Sequence, residues 1–201
     1  MIAVIDYGAG NIFSVKNALD HLGFESRLTD KAEDLRSADA LILPGVGAFP
    51  WAMNMLKLSG LVEVIKQEAA RKPFLGICLG MQLLFEKSYE FEECKGLGRV
   101  DGYVDKINEP GLVIPHMGWN KLEYNHPCPL FDGLGSEEYV YFVHSYKAFC
   151  GDGALMAYCQ YGSKVPAVVG NGKNVFGCQF HPEKSGETGL KILSNFAGLI
   201  K

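Results

Sequence analysis

The sequence predicts an α/β protein: an open, mostly parallel sheet covered by helices on both faces, with antiparallel strands added in the second half. Three observations predict it. The first ninety or so residues alternate strand-like with helix-like segments. Those strand-like segments are apolar along their whole length, as strands buried on both faces are. The second half, by contrast, runs through strand-like segments with few helices between them.

The elements follow in order. IAVID (2–6) reads as a short buried strand. In GNIFSVKNALDHLG (10–23), Ile12, Val15, Leu19 and Leu22 share one helical face and Gly23 ends the helix. ESRLTD (25–30) predicts a second strand, and ALILPG (40–45) a continuous apolar strand broken by Pro44 and Gly45. LVEVIKQEAARK (61–72) is helical, FLGI (74–77) returns to strand, and LGMQLLFEKS (79–88) leaves Cys78 as an amphipathic helix. GRVDGYVDKI (98–107), KLEY (121–124), YVYFVHSYKAF (139–149), ALMAYCQY (154–161) and PAVVGNGKNVFGCQF (166–180) read as strands. Within the last of these, Asn171-Gly172 signals a type I′ hairpin. GETGLKILSNFAGLI (186–200) predicts a closing helix. Neither a linker nor a repeat divides the chain, so one domain over 1–201 is expected.

Composition narrows the function classes. The 201 residues are 48% hydrophobic and 21% charged, with a net charge of −4 and no cluster of Lys and Arg, which argues against a nucleic-acid or anionic-membrane surface. The N-terminus begins directly as a strand, without the basic stretch of a secretory signal, and no apolar run approaches the ~18–20 residues of a membrane span. A cytoplasmic location is expected. The six cysteines (Cys78, Cys94, Cys128, Cys150, Cys159, Cys178) form no C-x-x-C pair, so neither structural zinc nor disulfides are expected; each thiol is by default a small buried hydrophobe.

Cys78 departs from that default. GICLG (76–80) sets a thiol between two glycines where a strand switches to a helix. Such a sharp G-x-C-x-G turn is similar to the nucleophile elbow G-x-S-x-G, with sulfur in place of the hydroxyl. A helix N-terminus beside the thiol favours thiolate. The alternative is a buried cysteine whose flanking glycines serve only the turn. A thiolate needs a proton carrier, and there are five histidines. His21 reads as a solvated helix residue and His126 as a turn residue, while His116 and His144 are possible site residues. His181 stands out, because it ends a strand and is followed by Pro182 and Glu183. In a near-extended chain Glu183 and His181 point the same way, so the carboxylate can hold the imidazole. Acyl chemistry also needs oxyanion donors. Leu79 supplies one amide; the loop Pro44-Gly45-Val46-Gly47 is the source of a second, unless it is merely a tight turn.

With these segments in order, the whole chain resembles the class I, triad-type glutamine amidotransferases, a flavodoxin-like fold. Cys78, His181 and Glu183 match that family's nucleophile and its H-P-E. DYGAGN (6–11), PGVG (44–47), PHMGWN (115–120), FVHSY (142–146) and FHPEKS (180–185) resemble in particular the glutaminase subunits of imidazole glycerol phosphate synthases. The stretches 125–138 and 150–174 carry no matching motif.

The resemblance implies glutamine hydrolysis through a cysteine thioester, with no cofactor and no metal. It implies that Gln82, Glu90 and the backbone around His144, Ser145 and Tyr146 hold glutamine, with Gly45, Val46, Gly47 and Leu79 around the oxyanion. It further implies a (β/α)8-barrel cyclase partner in a heterodimer of histidine biosynthesis. Asn11, Trp119, Asn120 and Lys184 are the implied interface positions, with Trp119 as an ordinary core aromatic the alternative. Ammonia released to water would be protonated and wasted, so the acceptor site is expected on that second polypeptide. Two glycines flanking Val46 ease reorientation of a peptide unit, so the isolated chain is expected to be nearly inactive. Other readings are a glutaminase for a different synthase, a non-catalytic interaction module, or another cysteine hydrolase.

Overall fold

The computed structural model describes residues 1–200. Strands β1 (Ile2–Ile5), β2 (Ser26–Thr29), β3 (Ala40–Gly45) and β4 (Phe74–Cys78) alternate with helices α1 (Ile12–His21), α2 (Ala32–Ser37), α3 (Phe49–Leu58) and α4 (Val62–Ala69). A single turn, α5 (Leu79–Gln82), follows β4 directly. Then come β5 (Lys87–Ser88), β6 (Cys94–Lys95), β7 (Tyr103–Lys106), β8 (His116–Lys121), β9 (Glu123–Tyr124), β10 (Tyr139–His144), β11 (Tyr146–Phe149), β12 (Leu155–Tyr161), β13 (Ser163–Gly170), β14 (Val175–Cys178) and α6 (Gly186–Ala197).

The main sheet has the order β2-β1-β3-β4-β14-β13-β12-β9. Its first five members are parallel, and β13, β12 and β9 are added antiparallel. The expected α/β class and its antiparallel extension are both present. Alternate side chains of each central strand enter opposite cores. Ile2 and Val4 of β1, with Ile42 of β3, pack against Val15 and Leu19 of α1 and Ile192 and Phe196 of α6. Ala3 and Ile5, with Leu41 and Leu43, pack against Leu35 of α2, Met53 and Leu56 of α3 and Ile65 of α4. Burial on both faces is why these strands are apolar throughout. Among the described residues no helix is long and apolar enough to cross a membrane. Two smaller sheets, β10-β8 and β11-β7-β5-β6, lie outside this layer arrangement.

Four local expectations are corrected. Pro44 and Gly45 do not break β3; the strand runs through both, in register with Ile77 and Cys78. The helix after Cys78 is one turn long, because Leu83 to Val100 fold back in tight turns whose amides bond Leu83, Leu84 and Phe85 carbonyls. YVYFVHSYKAF is two strands in two different sheets, parting at Ser145. The 171–174 connection is not a two-residue I′ turn: Gly172 has φ +72° but Asn171 has no positive φ. Instead the Asn171 side chain accepts from the Lys173 and Val175 amides, building a wider loop.

Candidate active site

The carboxyl ends of three adjacent strands, β3, β4 and β14, converge on one spot, where open α/β sheets place their sites. Cys78 ends β4 with φ +55° and ψ −112°, one of two non-glycine residues with positive φ among the described residues. Such a conformation costs roughly 1–3 kcal/mol and persists only where its surroundings enforce it. The glycines do that enforcing. A Cβ on Gly80 would overlap the Leu43 carbonyl of β3, and one on Gly76 would meet the Gly80 carbonyl. α5 is thus pressed onto the sheet, which a side chain at either position would prevent. One turn adds little macrodipole, so the helix N-terminus expected beside the thiol is a weak one.

His181 follows β14, the strand paired with β4, and its side chain is almost fully buried. Its Nδ1 lies 2.8 Å from Glu183 Oε1. The link forms differently from the extended geometry expected: Pro182–Lys184 is a 3₁₀ turn, and Glu183 reaches back across it. Burial pushes the imidazolium down, but hydrogen bonding and charge from Cys78 and Glu183 outweigh burial and raise His181 to about 10. The other buried thiols behave as hydrophobes. Burial raises Cys128 and Cys150 to about 11 and Cys159 to about 12. All six cysteines are free.

Cys78 and His181 open on a cavity of about 400 Å³ that Val46, Gly47, Leu79, Gln82, Glu90 and the 143–146 segment also line. The register Gly45↔Cys78 sets the Gly45–Gly47 loop beside the thiol. The Leu79 amide, first in α5, has no partner within its own helix. Gln82 Nε2 donates to the Tyr146 carbonyl at 3.1 Å and to Gln179 Oε1 at 2.9 Å. Its NH₂ is thereby used up, leaving its carbonyl oxygen for a ligand ammonium. Glu90 Oε2 accepts the Phe49 amide at 2.7 Å, fastening the start of α3 to the cavity wall; burial raises its carboxyl, which that bond partly offsets.

His144 and His116 form a second tier. His144 Nδ1 donates to the Tyr146 carbonyl at 2.7 Å, and its Nε2 lies 2.9 Å from His116 Nδ1. Burial lowers His144 to about 3 and lowers His116 as well. Both rings are therefore neutral at pH 7. His144 Nε2 accepts from His116, whose own Nε2 faces Asn120 Oδ1 at 2.8 Å; with that ring nitrogen unprotonated, the amide turned end for end presents its NH₂ instead. Asn120 is half-buried and tied to His116 on the inner side of β8. Trp119, its neighbour, is 55% exposed. Asn11 precedes α1 and accepts from the Ser14 hydroxyl, and Lys184 is exposed in the 3₁₀ turn. His21 is exposed, and His126 pairs with Asp152 far from the cavity.

Two residues escaped the sequence reading. Gln179 is fully buried and directs Nε2 to Cys78 Sγ at 3.9 Å. A polar residue inside VFGCQF was its only signal. Tyr7, in DYGAGN, lies against the back of the elbow.

Known proteins arrange themselves around this geometry. Residues 3–199 match the family described as Glutamine amidotransferase class-I. An imidazole glycerol phosphate synthase subunit HisH from Bacillus cereus (strain B4264) is 50% identical over 202 residues, covering 100% of this chain and 96% of that protein. The Lactococcus lactis subsp. lactis (strain IL1403) subunit HisH is 55% identical over 97% of this chain and 96% of its own. A solved glutamine amidotransferase superposes with TM-score 0.77 at 22% identity, covering 100% and 99% of the two chains. A chain of PurLQS from Thermotoga maritima superposes with TM-score 0.75 at 23% identity, covering 100% and 98%. The chain belongs to the class-I glutamine amidotransferases and, among them, to the HisH family of imidazole glycerol phosphate synthase subunits.

Proposed function

We propose that this chain is the glutaminase of an imidazole glycerol phosphate synthase, and that Cys78, His181 and Glu183 are its catalytic triad. The observation that carries the assignment is the placement of His181 between the Cys78 thiol and a buried carboxylate, at the wall of a cavity that also presents Val46, Gly47 and Gln82. The Cys78 thiolate attacks the carboxamide carbon of glutamine. The Leu79 amide and one from the Gly45–Gly47 loop take up the oxyanion charge. His181, protonated and oriented by Glu183, gives its proton to the departing nitrogen, which leaves as ammonia. Neutral His181 then draws a proton from water, which hydrolyses the thioester; the thiolate leaves, the thiolate–imidazolium pair is restored, and the glutamate carboxyl gives its proton to solvent. The Gln82 carbonyl oxygen and the backbone of 144–146 hold the amino-acid end.

Ammonia is delivered to a (β/α)8-barrel cyclase subunit, which docks on the outer face of the β8–β10 ribbon. On that face Met117, Trp119 and Tyr139 are exposed, while Val140, Phe142 and His144 of β10 point inward to the core. Val143, paired with Met117, belongs both to this face and to the cavity wall. An apolar surface that continues into the reaction chamber is what dry transfer of a neutral amine requires.

The test is the reconstituted pair. Replacing Cys78 with Ala is expected to abolish glutamine-dependent product formation while leaving ammonia-dependent formation at the wild-type rate. Glutamate release unchanged by that substitution means that no catalysis occurs at this site and that the chain is an interaction module.

A further inference from the structure

We propose that the Tyr7 hydroxyl is the donor that holds the Gly45–Val46 peptide in its oxyanion-ready orientation, which makes Tyr7 a positioning residue for glutamine hydrolysis. The inference rests on the oxyanion role assigned above to the loop after β3.

Tyr7 follows β1, the strand beside β3, and is 3% exposed. Its hydroxyl has no hydrogen-bond partner; among the described residues the only other such buried side-chain atom is Glu183 Oε2, within the proposed triad. A buried hydroxyl left unpaired costs about 1–3 kcal/mol, and native structures carry few of them without a reason. The location supplies one. The hydroxyl lies 2.9 Å from the point that a Cβ on Gly45 would occupy. Burial first, and the nearby Cys78 charge second, raise its pKa far above the ordinary phenol range, so it remains an O–H donor at any working pH.

A trans peptide directs its N–H and its C=O to opposite sides. If the Val46 N–H faces the cavity to meet an oxyanion, the Gly45 carbonyl faces the other way, into the packed interior behind the elbow. A buried carbonyl there needs a donor. Tyr7 is an uncommitted donor beside Gly45, and Gly45 and Gly47 (φ +94°) leave the peptide between them free to turn. Turning the peptide therefore satisfies two groups together, the oxyanion in front and the phenol behind.

Tyr7→Phe removes one oxygen and keeps the ring. The experiment compares it with wild type in the complex with the cyclase, measuring glutamate release, ammonia-dependent synthesis and thermal midpoint. The expected result is a fall of about 3- to 10-fold in kcat for glutamine, the loss of one neutral hydrogen bond in the working state. KM should change less than 2-fold, ammonia-dependent synthesis should be unchanged, and the midpoint should be equal to or above wild type. A purely structural hydroxyl predicts the reverse pattern, a lowered midpoint with kcat retained. An unchanged kcat overturns the proposal, as does a destabilised or unfolded variant, which would mean the hydroxyl is already paired. If the wild-type complex releases no glutamate, the reading of the site itself falls, whereas an active wild type matched by Tyr7→Phe removes only Tyr7.

Discussion

His181 shows how a single side chain carries two opposed influences. Burial favours its neutral form, while the thiol on one side and Glu183 on the other favour the cation. The second influence wins, so the folded value, about 10, lies above the ordinary 6.5. The sign of the pH dependence follows. The stabilisation is complete below pH 6.5 and is lost as pH rises from 6.5 through about 10. Glu183→Gln keeps the shape and removes the charge. It is expected to lower kcat on the order of 10²–10⁴-fold, the range in which acid–base catalysis and carboxylate orientation of a histidine operate. Its thermal midpoint should also fall less steeply than wild type between pH 7 and 10. Equal kcat, or parallel pH profiles, would remove Glu183 from the proposed triad. The pairing itself was legible, since His-Pro-Glu announces an imidazole and a carboxylate within reach. Gln179 and Tyr7 were not. What matters about each is which buried atom it faces, and that is fixed by strands distant in the chain.

The elbow depends on contact between elements. Gly80 of α5 lies on the Leu43 carbonyl of β3 so closely that a methyl group cannot fit. Gly80→Ala is expected to cost about 1–3 kcal/mol, or about 2–12 °C in midpoint for a chain of this size. Gly153→Ala, in an open 3₁₀ turn with no atom near its would-be Cβ, should leave the midpoint within about a degree. Equal melting of the two would show that the close approach is not what shapes the turn. The elements themselves were read unevenly. α1 declared itself because Val15 and Leu19 repeat at helical spacing. α3 passed unread because Pro50 in FPWAMN looks like loop punctuation, whereas proline at the start of a helix removes an amide that has no partner anyway. β10 and β11 looked like one strand, since their parting at Ser145 is dictated by which sheet each joins and leaves no mark on the local pattern.

Across the molecule, apolar surface is used in two ways. The two cores close the central sheet from both faces, and a further apolar face is left outward on β8 and β10. Trp119, packed edge-on to Tyr141 at 6.0 Å between ring centroids, is the most prominent aromatic there. Exposed aromatics of this kind are typical interface anchors, worth roughly 2 kcal/mol or more on truncation. Trp119→Ala is therefore expected to raise the Kd for the cyclase by about 30-fold or more, measured by calorimetry, while the isolated chain melts as before. An unchanged Kd would move the interface elsewhere. The parallel half of the fold was plain from its apolar runs. The outer ribbon was not, because Trp119 and Asn120 are adjacent in sequence yet serve opposite sides of the same strand.

The pairing of β14 with β4 also bears on how the protein is made. Four strands and their helices are complete before residue 80, yet the imidazole enters only when residues 175–184 insert beside them. The proposed thiol–imidazole pair is therefore assembled only after β14 has taken its place beside β4. In the finished molecule, displacing that C-terminal segment would remove the proposed base and, with Ile192 and Phe196, one wall of the core behind β1 and β3.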